Sequence, residues 1–154
     1  MTSITPFLWF EQGAEEAMAL YARVFDDSAT VSVSSSGEPG GFFMGTLRIA
    51  NLEITIFNGG PHQAFNDAIS LFVSVETQEE VDHLWNSLSE GGVPGRCGWL
   101  KDPFGVSWQI VPTALGRLMG DPDPARSSRV RKAMMGMEKF VIADLEAAWS
   151  GPSA

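Results

Sequence analysis

The chain has 154 residues, of which 44% are hydrophobic and 19% are charged, a composition typical of one globular domain. Its formal net charge of −9 argues against a nucleic acid as partner, because phosphates would be repelled over most of the surface. Its apolar runs are too short to span a bilayer, no signal peptide is visible, and it has one cysteine. We therefore expect a cytoplasmic protein without an internal disulfide and without membrane contact.

The charge is unevenly distributed along the chain. Residues 1–112 carry 4 basic and 14 acidic side chains, a net charge of −10, whereas residues 113–154 carry 6 basic and 5 acidic ones, a net charge of +1. The C-terminal part is thus suited to lie on an acidic body, either its own or that of a partner. The alternative is that these charges simply face solvent.

The first half of the chain predicts one helix among four strands. Residues 5–10 are aromatic and apolar and indicate a strand, and apolar residues from Ala14 to Phe25 recur at three- and four-residue spacing, as in an amphipathic helix. Residues 29–35, rich in Val, Thr and Ser, predict a second strand. Residues 42–50 and 52–58 predict two more, joined tightly around Asn51.

The second half repeats this order. Residues 68–75 predict a strand, Thr77 and Glu80 form a capping box at the start of a helix, and Gly91 and Gly92 end that helix. Short strands around residues 97–100, a turn at 101–105 and a strand over 106–111 follow. The shared order predicts two related modules, about residues 1–60 and 67–112, in an α+β fold.

The last part of the chain predicts helices. Residues 112–120 are suited to a short helix, residues 121–124 to a turn or linker, and residues 125–149 to one or two amphipathic helices. The chain therefore divides into a domain of residues 1–120 and a helical C-terminal extension of residues 121–154. The apolar stripes of the extension must be covered, so we expect them to pack on the domain or across a homodimer interface.

Three polar residues interrupt apolar strands in the second half. In the last strand, Trp108 and Ile110 share one face, while Ser107 and Gln109 share the other. Buried polar groups need hydrogen-bond partners. Ser70, Ser107 and Gln109 therefore either line a ligand pocket or bond to one another across the strands, and both interpretations stay open.

Two residues are candidates for catalysis. His62 lies in the segment between the halves, where a histidine can act as a general base or contact a ligand, although a loop histidine is more often solvated. Cys97 would need a neighbouring base or cation to act as a nucleophile, and a buried, inert cysteine is the preferred interpretation. The other histidine, His83, is predicted on a helix surface, so these two do not form a multi-histidine metal site.

Glycine-rich phosphate-binding loops are absent from the sequence: it has neither a G-x-G-x-x-G loop after a strand nor a P-loop. Nothing in the sequence therefore supports binding of a dinucleotide, of ATP or of a nucleotide-type methyl donor.

Five segments carry a resemblance to a known family: TPFLWF at residues 5–10, NGGPH at 58–62, FN at 65–66, CGWLKD at 97–102 and GVSWQIVP at 105–112. In these segments the chain resembles the PhnB-like family of the glyoxalase, bleomycin-resistance and extradiol-dioxygenase superfamily, also called vicinal oxygen chelate. Members often carry the label 3-demethylubiquinone-9 3-methyltransferase. The resemblance covers nearly the whole chain, including residues 121–124, and implies paired βαβββ modules forming a cupped mixed sheet in a homodimer.

The enzymes of this superfamily bind a divalent metal through histidine and carboxylate side chains that project into the cup. By resemblance, Gln109 falls where those enzymes have a glutamate ligand in the last strand, and Ser70 falls near a histidine ligand in the fifth. The first and fourth strands offer Thr5, Phe7, Trp9, Ile54, Ile56 and Asn58. None of these side chains is a strong ligand for zinc, nickel or iron, so we expect no metal cofactor.

The leading hypothesis is a small-molecule-binding protein without the usual metal centre. Its pocket is predicted to have apolar walls with a few polar groups and to be closed by the loop of residues 62–66. The predicted ligand-binding residues are Phe7, Trp9, His62, Phe65, Asn66, Ser70, Phe72, Trp99 and Gln109.

Two alternatives remain. One is an enzyme, either a metal-dependent lyase or isomerase or a metal-free one that uses His62 or Cys97. The other is a domain that chiefly mediates dimerisation or contact with a partner.

Overall fold

A computed structural model describes residues 2–61 and 64–151 of the chain. The chain forms two compact units, Met1–Ala64 (unit 1) and Phe65–Ala154 (unit 2). Unit 1 contains β1 (Phe7–Phe10), α1 (Ala14–Val24), β2 (Ala29–Ser35), β3 (Phe43–Ile49) and β4 (Leu52–Asn58). Unit 2 contains β5 (Leu71–Val75), α2 (Gln78–Ser89), β6 (Val93–Pro94), β7 (Trp99–Lys101), β8 (Ser107–Pro112), α3 (Thr113–Met119), α4 (Pro124–Met135) and α5 (Ile142–Ser150).

The two units have the same topology. Unit 1 has the strand order β1-β4-β3-β2 and unit 2 the equivalent order β5-β8-β7-β6. In each sheet the first strand of the unit pairs parallel with the last, and the other pairs are antiparallel. The predicted α+β class, the repeated βαβββ module and the C-terminal helices are therefore confirmed.

In unit 1, helix α1 covers one face of the sheet. Ile54 and Ile56 of β4 are fully buried on that face, and α1 packs on β3 and β4. Gly45 of β3 allows a close approach, because a Cβ atom there would lie 2.5 Å from the Met18 sulfur. Asn58 holds the start of the helix, since its Oδ1 accepts a hydrogen bond from the Ala14 amide at 2.9 Å.

In unit 2, helix α2 begins with the predicted capping box. The Thr77 hydroxyl accepts from the Glu80 amide at 3.2 Å, and the Glu80 carboxylate accepts from the Thr77 amide at 2.9 Å. The carboxylate also accepts from the Glu76 amide at 2.8 Å, and the hydrogen bonds from the amides of Thr77 and Glu76 hold the pKa of Glu80 below its ordinary value. The helix then buries an apolar face formed by Val81, Leu84, Trp85 and Leu88.

Buried Asp102 organises the turn between β7 and β8. Its Oδ1 accepts from the amides of Phe104 and Val106 at 2.9 and 3.0 Å, and its Oδ2 accepts from the indole of Trp108 at 3.0 Å. Only 2% of Asp102 is exposed, so these bonds compensate a carboxylate that would otherwise be costly to bury. The Lys-Asp-Pro-Phe-Gly turn is therefore a structural feature of unit 2.

The C-terminal extension packs on the rest of unit 2. Helices α3, α4 and α5 enclose a core of Leu115, Leu118, Val130, Phe140 and Leu145. The linker between α4 and α5 bonds to the body through backbone amides, from Cys97 to the Met137 carbonyl and from Gly98 to the Glu138 carbonyl, each at 2.8 Å. Of the two predicted ways to cover the apolar stripes, the structure shows packing on the domain.

Polar contacts also join the extension to α2. The Gln78 side chain donates to the Phe140 carbonyl at 3.0 Å and accepts from the Ile142 amide at 2.8 Å. Lys139 lies 2.7 Å from Asp82 in an ion pair. One ion pair thus joins the extension to an acidic helix, whose first turn carries Glu79 and Glu80. Within the described residues, no helix is long and apolar enough to cross a membrane.

Candidate functional site

An open cavity lies beside the β6–β7 hairpin of unit 2, and we call it the β6–β7 cavity. Its volume is about 640 Å³, within the range of roughly 300–1,000 Å³ that is typical of small-molecule sites. It is lined by Asp67, Val93, Pro94, Gly95, Arg96, Trp99, Leu100 and Lys101.

The short turn that closes the hairpin shapes this cavity. Strands β6 and β7 pair through Val93 with Lys101 and Pro94 with Leu100. The turn is then held by hydrogen bonds from the Gly95 amide to the Trp99 carbonyl at 2.8 Å and from the Trp99 amide to the Arg96 carbonyl at 3.1 Å. A Cβ atom at Gly95 would lie 2.7 Å from the Trp99 carbonyl oxygen, so the turn requires glycine there.

An ionic group forms one wall of the cavity. Lys101 Nζ lies 3.4 Å from Asp67 Oδ1, and the Ser107 hydroxyl donates to the same oxygen at 2.7 Å. The Ser107 hydrogen bond, together with the charge of Lys101, holds the pKa of Asp67 below its ordinary value of 3.8. The carboxylate is therefore ionised at neutral pH. Sequence reasoning missed Asp67, because its loop position gave no sign of pairing with a strand residue 40 positions away.

The predicted residues of unit 2 lie mostly on one face of its sheet. Phe72 and Trp99 are both register partners of Gln109, so their side chains share a face. The Gln109 amide donates to the Ser70 hydroxyl at 2.8 Å. Cross-strand bonding therefore satisfies Ser70 and Gln109, one of the two open interpretations, while Ser107 bonds to Asp67 instead. Of this group, Trp99 is the residue that lines the β6–β7 cavity.

In unit 1, an aromatic group occupies the sheet face opposite α1. Phe7 and Trp9 contact Phe57, with ring centroids 5.0 and 5.1 Å apart. The Trp9 indole donates to the Gly60 carbonyl at 3.3 Å, and a Cβ atom at Gly59 would collide with the indole ring. Sequence reasoning missed Phe57.

The fourth-strand positions that the resemblance offered, Ile54, Ile56 and Asn58, do not share this aromatic face. The isoleucines pack under the helix and Asn58 caps it. The sequence could have shown this, because Ile54 and Ile56 alternate with the polar residues Glu53 and Thr55, which places the isoleucines on the face that the helix covers.

Of the remaining predicted residues, Phe65, Asn66 and Cys97 are described by the structure and are not among those that line the cavity. Asn66 Oδ1 accepts from the Ala68 amide at 2.9 Å, which forms a local turn, and Phe65 is half-buried. His62 lies outside the described residues. Cys97 is half-buried, and its thiol donates to the Met134 carbonyl at 3.5 Å. The thiol therefore lies against the extension.

The donor set does not fit a divalent metal at the carried-over positions. Phe7 and Trp9 have no ligand atoms for a metal, and Gln109 offers a neutral amide oxygen in place of a carboxylate. Within residues 2–61 and 64–151, no three His, Cys, Asp or Glu side chains converge as metal ligands would. Zinc, nickel and iron favour imidazole, thiolate or carboxylate ligands, and we derive no chemistry through a metal.

The profile of the family described as 3-demethylubiquinone-9 3-methyltransferase matches residues 2–111. A solved PhnB protein from Bacillus cereus, which carries the same description, is 33% identical; the match covers 73% of this chain and 100% of that one, with a TM-score of 0.67. The protein PA1353 from Pseudomonas aeruginosa is 20% identical over 73% of this chain and 98% of that one, with a TM-score of 0.62.

The fosfomycin resistance protein FosX from Listeria monocytogenes, solved with Mn(II) and a dihydroxypropylphosphonic acid, shares the fold. It is 18% identical over 77% of this chain and 99% of that one, with a TM-score of 0.54. No curated protein matches the chain. The family profile ends at residue 111, so the whole C-terminal extension lies outside it, including residues 121–124, which the resemblance was expected to cover. The chain belongs to the PhnB-like, 3-demethylubiquinone-9 3-methyltransferase family of the vicinal oxygen chelate superfamily.

Proposed function

We propose that this protein binds a small organic molecule in the β6–β7 cavity and does so without a metal cofactor. The observation that supports this most is the composition of the cavity wall. Trp99 and Val93 provide an apolar surface, and the charged residues Arg96 and Lys101 lie beside it. A mostly apolar wall with a few polar groups is the usual form of a small-molecule site.

Methyl transfer forms no part of this proposal. The family description includes a methyltransferase name, but the sequence has no glycine-rich loop after a strand that would hold a nucleotide-type methyl donor. Likewise, the thiol of Cys97 points to the extension, which does not favour it as a nucleophile toward a ligand in the cavity.

A thermal-shift screen of the full chain against a metabolite library tests the proposal. A ligand present at about 100 times its Kd stabilises the native state by about 2.7 kcal/mol. We expect hits whose shift is lost in Trp99→Ala, partly kept in Trp99→Phe and unchanged in Met135→Ala, an exposed position on α4. Hits that persist in Trp99→Ala, or a screen without hits, would contradict the proposal.

We also propose that the protein is a homodimer, as its family resemblance implies. Because the apolar stripes of the extension are buried or partly buried within unit 2, we do not expect those stripes to form the interface. Light scattering of the full chain measures the mass directly, and a monomer at high concentration would contradict the proposal.

A further inference from the structure

The β6–β7 cavity reverses the local charge of the protein. Residues 1–112 contain 4 basic side chains against 14 acidic ones. Two of the four, Arg96 and Lys101, line the cavity, where the accompanying carboxylate is that of Asp67. A positively charged cavity on a negatively charged protein attracts anions.

Asp67 neutralises one of the two cations. It lies 3.4 Å from Lys101, and the hydrogen bond from Ser107 stabilises its ionised form. The charges of Asp67 and Lys101 therefore cancel, and the cavity has a net charge of about +1 from Arg96.

Arg96 is the unmatched charge. Across residues 2–61 and 64–151, the ion pairs involve Lys101, Arg117, Arg126 and Lys139, and none involves Arg96. A guanidinium group donates two parallel hydrogen bonds to a carboxylate, which gives it both strength and orientation.

The peptide bond that follows Arg96 is anchored through both of its polar groups. The Trp99 amide donates to the Arg96 carbonyl at 3.1 Å, and the neighbouring Cys97 amide donates to the Met137 carbonyl of the extension at 2.8 Å. The backbone that carries the guanidinium is thus positioned before a ligand arrives, which lowers the cost of binding.

The rest of the wall suits an apolar body. Trp99 is half-buried beside Val93 and Pro94, and an indole ring binds aromatic groups by stacking or edge contact. We infer that the β6–β7 cavity selects a monoanionic carboxylic acid with an aromatic body, with its carboxylate on Arg96 and its ring against Trp99. This inference rests on the proposed function and names the class of its ligand.

Matched acids and amides test the inference, because they differ in charge and little in shape. We would titrate the full chain with indole-3-acetate and indole-3-acetamide, and with 3-phenylpropanoate and its amide, by calorimetry or NMR. We expect each acid to bind about tenfold more tightly than its amide at low salt, a difference of about 1.4 kcal/mol, and this preference to shrink at high salt.

Three variants localise the effect. Arg96→Ala should bind acid and amide equally. Arg96→Lys should keep part of the preference, because lysine retains the positive charge but cannot donate two parallel hydrogen bonds as a guanidinium does. Arg131→Ala removes an exposed arginine of α4 in the same unit and should keep the full preference. Unfolding curves of all three variants check that each is folded.

The outcomes separate this inference from the proposed function. Binding that depends on Trp99 but shows no preference for acids, or a preference that survives in Arg96→Ala, overturns the inference alone. If neither the acids nor the amides bind, and the metabolite screen finds no ligand that depends on Trp99, both are overturned.

Discussion

Units 1 and 2 share one topology, but they differ in their second and third strands. In unit 1, β2 and β3 pair from Ala29 with Arg48 to Ser35 with Phe43. In unit 2, the equivalent strands β6 and β7 have 2 and 3 residues, and the chain leaves the sheet at residues 95–98. This turn provides Gly95 and Arg96 to the cavity.

The other side of the same turn anchors the extension. Cys97 and Gly98 have positive φ angles of 54° and 80°, and their amides donate to the linker between α4 and α5. Shortening a hairpin thus leaves backbone groups that are no longer needed for strand pairing. In unit 2 those groups join a candidate ligand site to the linker between two helices that lie beyond the family profile.

The test with the largest expected effect removes the side chain of Phe140, which packs between the extension and the rest of unit 2. Phe140 is 1% exposed in the core of the extension. We expect Phe140→Ala to lower the free energy of unfolding by about 3–5 kcal/mol, because it leaves a cavity. Urea denaturation measures this. Phe42→Ala, an exposed phenylalanine of unit 1, is the control and should cost less than about 0.5 kcal/mol. Equal losses would show that the extension is not part of the folded core.

A second test concerns the turn of residues 95–98 between β6 and β7. At Gly98, a Cβ atom would lie 2.5 Å from the Phe140 ring and 2.8 Å from the Ile110 carbonyl oxygen. We expect Gly98→Ala to destabilise the protein by about 2–4 kcal/mol, from overpacking and from the positive φ angle. Gly105→Ala is the matched control, because Gly105 has a φ of 87° with nothing within 4 Å of the added Cβ. Thermal or urea unfolding should show the larger loss at Gly98, and the same loss at both positions would exclude the proposed clash.

The smallest test uses the ion pair between α2 and the extension. Hydrogen bonds from Lys139 and Gln78 hold the pKa of Asp82 below its ordinary value of 3.8. Because the folded pKa is depressed, the unfolded chain protonates first as the pH falls. The contribution to stability is therefore complete above about pH 4 and lost as the pH falls through the folded pKa. The pair is partly exposed, so we expect about 0.2–1 kcal/mol.

Asp82→Asn should remove this part of the pH dependence, as measured by urea unfolding at neutral and acidic pH. Asp27→Asn in unit 1 removes an exposed carboxylate and should leave the acidic limb of the curve as in the wild type. An unchanged curve for Asp82→Asn would show that the pair does not hold the extension.

Much of the fold was predictable because it depends on local patterns. The capping box of Thr77 and Glu80 starts α2 as predicted, and the repeated order of elements gave two modules with equivalent strand order. Boundaries were less accurate: β5 begins at Leu71, three residues later than predicted. The segment before β5 forms a turn instead, in which the Asn66 side chain accepts a hydrogen bond from the Ala68 amide.

The site was less predictable than the fold, since its contacts join residues far apart in the chain. Trp99 was predicted and lines the cavity. Arg96 was not predicted as a site residue. Short strands were expected around residues 97–100, but β7 begins at Trp99 and residues 95–98 form a tight turn. Because Cys97 has a positive φ angle, the side chains of this turn do not alternate between two faces as they do in a strand.

The sequence by itself determined the α+β class, the two βαβββ modules and the family, because periodicity, caps and short motifs are local properties of a chain. The tertiary structure decided which polar groups are paired: Gln109 with Ser70, Asp67 with Lys101, and Gln78 with the backbone of the extension. These partners are separated by 34 to 64 positions, and only packing brings them within hydrogen-bonding or ion-pair distance. A candidate ligand site made from such pairs is therefore a property of the folded unit.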